Sequence, residues 1–272
     1  MTMLTDARRR IAGKMQAGRA LLEFARHLKN WPAVWRAYRR GQPIPSPLVL
    51  RNGLVVEFGP DDDPVQLFRE IFVRACYTPR WFYRPTPGDQ VVDLGANIGV
   101  FALAVAGIAR GLRCHCFEPA AGTRGRLLRN AEVNGLTEFI RVYPNAVAAA
   151  AGTLTLRAGA STIHRSLFAN DMATDTPGET VEAVTLGRAL EMTGADRIDL
   201  LKVDIEGAEL DVFPACLPDV LAPVRRVVVE YHDHFRPGAR AATEAALRAA
   251  GFSAPRVDPA GPEGGVLYAT RS

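Results

Sequence analysis

The chain has 272 residues, 48% of them hydrophobic and 23% charged, with a net charge of +4. That apolar content excludes a disordered protein and suits one sizeable core, with room for an N-terminal appendage. The positive excess is concentrated early, in ARRR, RHLKN and RAYRR, and reads as a solvated helix face before it reads as a nucleic-acid or membrane footprint.

Cys76, Cys114, Cys116 and Cys216 form no CxxC pair and no zinc-finger spacing. They are expected to be structural thiols, a usage that fits a reducing cytoplasm. The longest apolar run, IGVFALAVAGIA, is too short to span a bilayer, and the N-terminus lacks the uninterrupted apolar segment of a signal peptide. A cytoplasmic location is therefore expected.

Residues 1 to about 45 carry apolar side chains at helical spacing among basic ones, and Trp31, Trp35 and Tyr38 continue the pattern past Pro32. GQPIPSP breaks it. This predicts an N-terminal helical extension over 1–48, followed by one domain over 49–272. LVLRNGLVVEFGP reads as a hairpin turning at Asn52-Gly53, and DPVQLFREIFVRACY as a helix entered through Asp63-Pro64. From residue 88 strands and helices alternate. GDQVVDLG is a strand and a helix follows through Arg110. LRCHCFEP is a second strand, with Cys114 and Cys116 on one face and His115 on the other. A helix to about Asn134 and a third strand, IRVYPNAVA, come next. GTLTLRAG is an inserted β element, STIHRSLFANDMATDTPGET a loop, and VEAVTLGRALEMTG a short strand and helix. IDLLKVDIEG, VRRVVVEYH and GGVLYATR are the later strands, with helices after the first two. The pattern predicts an α/β fold with a mostly parallel central sheet, helices on both faces, and ligands at the carboxyl rim of the strands.

The first βα turn, VVDLGANIGV, has Asp93, Gly95, Ala96, Asn97 and Gly99 where a nucleotide-binding turn would lie. Glycines there let a ligand approach bare backbone. The turn is not GxGxxG and lacks the Lys-Ser/Thr of a phosphate loop, so a nicotinamide oxidoreductase is disfavoured. An acid at the strand end suits a cationic ligand. Glu118, about 20 residues on, is placed to accept hydrogen bonds from ribose hydroxyls, with Pro119 beside it. An adenosine carrying an ammonium and no phosphate meets both demands, and S-adenosylmethionine is such a molecule. Asn145 and Ala146 close the third strand where the adenine edge would lie.

VVDLGANIGVFAL, CFEP, LLRNAEVNGL, DLLKVDIEGAELDVF and VVVEYHDHF, in that order and spacing, resemble the FkbM family of S-adenosylmethionine-dependent methyltransferases, a branch of the class I Rossmann-like fold. The resemblance covers roughly residues 50 to 270, and KVDIEGAE is its most specific block. It implies O-methylation of a hydroxyl on a sugar, glycolipid, polyketide or related metabolite. The partner expected is therefore a small-molecule or glycan acceptor. The N-terminal helices could cover the acceptor site or pair with a second subunit.

Lys202 and Asp204 share a strand face, and Asp204 ends the strand beside the glycine turn. Glu206 and Glu209 start the next helix, where carboxylates are favoured. Glu230 and His232 project together from the fifth strand. A hydroxyl acceptor must lose its proton as it attacks, so His232 is the expected general base, with Asp204 or Glu230 orienting it or the acceptor. Asp204, Glu230 and His232 could also make an oxygen/nitrogen set for a divalent ion, though a site without metal is the expectation. Ser161, Thr162 and His164 are candidates to line the acceptor pocket. Two rival readings stay open: an RNA ribose methyltransferase, supported only by the basic N-terminal segment, and a binding protein that has kept the fold without catalysis.

Overall fold

The computed structural model describes residues 18–156, 178–234, 236–261 and 264–271. Ser161, Thr162 and His164 lie outside the described residues. The single helical run expected at the N-terminus is two helices, α1 (residues 18–27) and α2 (Trp31–Arg40). Asn30 lies at the break. Its amide donates to the Pro47 carbonyl at 2.8 Å and its side-chain oxygen accepts from the Val49 amide at 3.1 Å, so the break is tied to the next strand. Trp31, Trp35 and Tyr38 face inward against the core, with Tyr38 edge-on to Phe24 at 5.5 Å. Phe24, Leu28 and Val34 share one hydrophobic cluster with Val91 and Phe101, so the described part of the N-terminal segment packs on the main core.

Strands β1 (Leu48–Val49) and β2 (Val55–Val56) pair across the Asn52-Gly53 turn. Helix α3 (Pro64–Phe68) is capped by Asp63, whose carboxylate accepts from the Val65 and Gln66 amides, as an acid before a first-turn proline should. It widens into a π-helix over Arg69–Val73, a feature frequent at functional sites.

Then come β3 (Gln90–Leu94), α4 (Val100–Ile108), β4 (Arg113–Phe117), α5 (Ala121–Val133), β5 (Ile140–Tyr143), β6 (Ala146–Val147), β7 (Gly152–Leu156), β8 (Glu179–Val184), α6 (Leu186–Thr193) and β9 (Leu200–Val203). The last elements are α7 (Glu209–Ala215), β10 (Arg226–Tyr231), α8 (Ala239–Ala249), β11 (Arg256–Gly261) and β12 (Gly264–Thr270). The central sheet runs β11-β12-β10-β9-β3-β4-β5. Only β12 is reversed; it pairs antiparallel with both β10 and β11. Strand β11, in SAPRVDPAG, has no clean alternation and was not expected from the sequence. β6, β8 and β7 form a small separate sheet.

Sheet order reverses between β3 and β9, and a crevice outside the carboxyl ends is expected at such a switch point. Both sheet faces are covered. Val91, Cys114 and Cys116 pack towards α4, whereas Val92, Leu94, Phe117 and Leu201 join a second cluster on the opposite face. Helix α4, VFALAVAGI, is apolar all round and buried from Val100 to Ala106, so its small side chains serve close packing on the sheet. No described helix is long and apolar enough to cross a membrane.

Candidate active site

A cavity of about 240 Å³ opens at the switch point. Gly95, Ala96, Asn97, Glu118, Pro119 and Ala146 line one part of it, and Tyr77, Lys202, Asp204, Glu206, Glu230 and His232 another. Thus β3, β4, β6, β9 and β10 deliver the expected residues to one place, and the segment after the π-helix adds Tyr77.

The turn after β3 is built by the chain's own packing. The Gly95 and Ala96 amides both donate to the Phe117 carbonyl at 3.1 Å. Gly95 has φ +76, and a Cβ on it would lie 1.8 Å from the Asp204 carbonyl oxygen; Gly99 has φ +84, and its Cβ would lie 2.8 Å from Leu127. The expectation that these glycines clear space for a ligand is corrected at Gly99, which does not line the cavity, whereas Gly95 lines the cavity and gains a packing role as well. Gly95 lets β9 close on the turn, and Gly99 lets α5 approach α4. Asn97 has φ +50, tolerated because its side-chain oxygen accepts from the Ile98 amide at 2.8 Å. Glu118 locks onto this turn: one oxygen accepts from the Asn97 amide at 3.0 Å and the other from the Ala120 amide at 2.9 Å. Asn145 is buried behind the wall, and only its neighbour Ala146 lines the cavity.

Asp93 is also corrected. It is completely buried and does not line the cavity. Its carboxylate accepts from the Lys202 ammonium at 2.9 Å, which also donates to the Gly95 carbonyl at 3.2 Å and lies 3.5 Å from Asp204. The cation next to Asp93 is therefore the protein's own. Burial works against the Lys202 charge, but Asp93 and Asp204 outweigh it and hold the ammonium protonated. The Tyr77 ring lies under that ammonium at 4.8 Å.

Asp204, Glu230 and His232 do converge. The Tyr77 hydroxyl lies between two of them, 3.1 Å from Asp204 and in a short hydrogen bond with Glu230. His232 Nδ1 donates to Glu209 at 3.2 Å, while Nε2 lies 3.6 Å from Glu206 and 3.9 Å from Asp204. Burial alone would lower the His232 pKa, but the hydrogen bond to Glu209 and the charges of Glu209, Glu206 and Asp204 overcome it and push the value up to about 10. With no cation bound, these acids favour the imidazolium, with Nδ1 on Glu209 and Nε2 facing Glu206 and Asp204. Burial raises the Glu230 carboxyl, reinforced by Asp204, and raises Glu206 well above the usual range. Glu70, on the π-helix wall, is pushed up to about 7 by burial and by Glu230.

Four of these groups escaped sequence reasoning. Glu206 and Glu209 read as acids at a helix start, yet Glu209 is wholly buried behind His232 and Glu206 sits at φ +53 in the preceding turn. Glu70 comes from the π-helix and Tyr77 from the turn after it, far from the strands in sequence. The RACY and REI contexts carry no local signal for them.

Residues 93–254 match the family model described as the methyltransferase FkbM domain. Among characterised proteins, the 31-O-demethyl-FK506 methyltransferase FkbM of Streptomyces tacrolimicus is 32% identical over 232 residues, covering 76% of this chain and 88% of that protein. Methyltransferase sdnD of Sordaria araneosa is 31% identical, covering 70% of this chain and 82% of that one. The AMB antimetabolite synthetase AmbE of Pseudomonas aeruginosa is 30% identical over 214 residues, but the chain spans only 10% of its length. A solved structure of methyltransferase FkbM from Methylobacillus flagellatus aligns with a TM-score of 0.49 at 17% identity, over 72% of this chain and 47% of that one.

The family model and the relatives make the chain a methyltransferase. Within that class, the chain belongs to the FkbM methyltransferase family.

Proposed function

We propose that this methyltransferase uses S-adenosylmethionine and methylates a hydroxyl oxygen of a sugar, glycolipid, polyketide or similar small metabolite. The observation that carries the reading is one continuous cavity with the amide-anchored Glu118 in one part and the Tyr77–Asp204–Glu230 group in another.

The residues fit the cofactor. Glu118 lines the cavity with its carboxylate anchored on the Asn97 and Ala120 amides, and a carboxylate in that place can accept from a ribose hydroxyl. Pro119, Ala146, Val147 and Leu156 offer an apolar wall for a base. When bound, the cofactor supplies an electrophilic methyl carbon on a sulfonium sulfur. Asp93 acts at one remove, by holding Lys202 against the Gly95 carbonyl.

The chain's remaining task is to hold the acceptor and take its proton. Glu230 is the proton acceptor: burial raises its carboxyl pKa, which brings its proton affinity closer to what removal of a hydroxyl proton requires. Tyr77 and Asp204 orient it. The relative from Streptomyces tacrolimicus is named for an O-demethylated compound, which supports an oxygen as the methylated atom. The free thiols Cys76, Cys114, Cys116 and Cys216 support a reducing cytoplasm as the setting.

The test is incubation with methyl-deuterated S-adenosylmethionine and a panel of hydroxylated sugars, glycolipids and polyketides, followed by mass spectrometry and NMR. One labelled methyl on oxygen is expected. Label found on nitrogen or carbon would overturn the oxygen assignment.

A further inference from the structure

We infer that the chain binds one divalent cation through Asp204, Glu206 and His232, with Glu209 orienting the imidazole from behind. One donor atom from each of the three ligands lies within 4.8 Å of the others. The separations bear on the reading. His232 Nε2 is 3.6 Å from Glu206 Oε2 and 3.9 Å from Asp204 Oδ1. Charge-assisted N–H···O bonds run at about 2.7–2.9 Å, so both pairs are too long for direct bonding. Donors that each stand about 2.1 Å from a shared octahedral ion are about 3.0 Å apart when adjacent and about 4.2 Å when opposite. The observed separations lie between those two values, so the side chains would shift by a few tenths of an ångström to complete the ion's shell.

The second observation is the group behind the ring. Glu209 is fully buried, and its Oε1 accepts from the Ile205 amide at 3.1 Å and from His232 Nδ1 at 3.2 Å. A carboxylate on one imidazole nitrogen, with the other nitrogen turned towards oxygen donors, is the arrangement that fixes a metal-binding histidine; the ion takes the place of the Nε2 proton, which is released to solvent on binding. A wholly buried carboxylate is costly to install, and its companion Oε2 has no hydrogen-bond partner among the described residues. Lys202 does not serve the same purpose as a metal, because its charge is directed first at Asp93.

The ligands arise from three backbone points: the end of β9, the left-handed turn before α7, and the end of β10. Two oxygens and one nitrogen favour a hard to borderline ion such as Mn²⁺ or Mg²⁺ over a thiophilic one. Three protein donors leave positions open towards the cavity, where water or an oxygen of the acceptor would bind. The site revises the set read from the sequence, since Glu206 replaces Glu230 and leaves Glu230 beside the ion as proton acceptor. Binding of the ion does not depend on the proposed O-methylation; only its use on an acceptor oxygen rests on that reading.

The test is titration of the EDTA-stripped full chain with Mn²⁺, followed by the loss of the free-ion EPR signal, with S-adenosylmethionine titrated into the same preparations. Saturation at one Mn²⁺ per chain is expected. Asp204→Asn, Glu206→Gln and His232→Ala should each weaken it at least 10-fold, and Glu209→Gln by about 10–100-fold. Glu244→Gln, on α8, should not change it. Asp204→Asn and Glu206→Gln are near-isosteric, so the proposal stays testable if His232→Ala does not fold. Folded wild-type chain that takes up no Mn²⁺, or uptake unmoved by the ligand variants, would overturn the site. Cofactor binding that persists without Mn²⁺ uptake would leave the methyltransferase reading intact, and Mn²⁺ uptake without cofactor binding would separate the two in the opposite sense.

Discussion

Replacing Gly95 by alanine should destabilise the protein well beyond the ordinary cost of a left-handed alanine. Two contributions separate cleanly. Holding an L-residue at φ +76 costs about 1–2 kcal/mol. The new Cβ would also lie 1.8 Å from the Asp204 carbonyl oxygen, so β9 or the turn must yield by about 1.2 Å to restore a tolerable contact. Forced shifts of this kind in packed regions cost typically about 1–3 kcal/mol, which gives a total of about 2–5 kcal/mol. Gly194 isolates the first contribution. It has φ +68, caps α6, and has nothing within 4 Å of its built Cβ. Urea unfolding of Gly95→Ala and Gly194→Ala, followed by circular dichroism, measures both. Gly194→Ala should lose about 1–2 kcal/mol and Gly95→Ala at least 1 kcal/mol more. Equal losses would refute the claim that Gly95 exists to admit the Asp204 backbone.

Lys202→Met should cost about 3–5 kcal/mol, because it strands the buried Asp93 carboxylate; Lys202→Met/Asp93→Asn should recover much of that in urea unfolding, and a double variant no better than the single would argue against a specific pair. Glu70 has its folded pKa raised from 4.5 to about 7, so between those values the native state binds the extra proton and stability falls as pH rises. Glu70→Gln removes that penalty: its stability gain over wild type should be near zero below about pH 4.5, grow towards pH 7 and level off above, at on the order of 3 kcal/mol, and a pH-independent difference would contradict it. Tyr77→Phe removes the hydroxyl between Asp204 and Glu230 and should cost about 1–3 kcal/mol in thermal or urea unfolding, with turnover falling by more than KM rises; unchanged turnover would exclude Tyr77 from positioning Glu230.

Much of the molecule could be read from local pattern. The strand-turn-helix around VVDLGANIGV, the Asn52-Gly53 hairpin and the Asp63 cap lie where their residues demand. Strand alternation correctly put Cys114 and Cys116 together against one core cluster and His115 on the other face, 3.0 Å from the Tyr143 hydroxyl. Glu118, Asp204, Glu230 and His232 were legible as rim residues because a doubly wound sheet gathers strand ends. Contacts made across the fold were not legible. Nothing in VVDLG shows that Lys202 on a neighbouring strand will claim Asp93, or that Gly95 must pass the Asp204 carbonyl. The protonation state of His232 depends on Glu206 and Glu209, which sequence position alone marks as helix-start acids. Tyr77 enters the site from a segment more than a hundred residues away, and β11 pairs only because β12 offers an edge to a poorly patterned strand.

The central claim is that the glycine turn and Glu118 hold S-adenosylmethionine. Calorimetric titration of that cofactor into the wild-type chain and into Glu118→Ala, with NAD as control, tests it most directly. The account predicts micromolar binding by wild type, no binding of NAD, and a large loss of affinity in a folded Glu118→Ala. Equal affinity in the two proteins, or no binding by folded wild type, would contradict it.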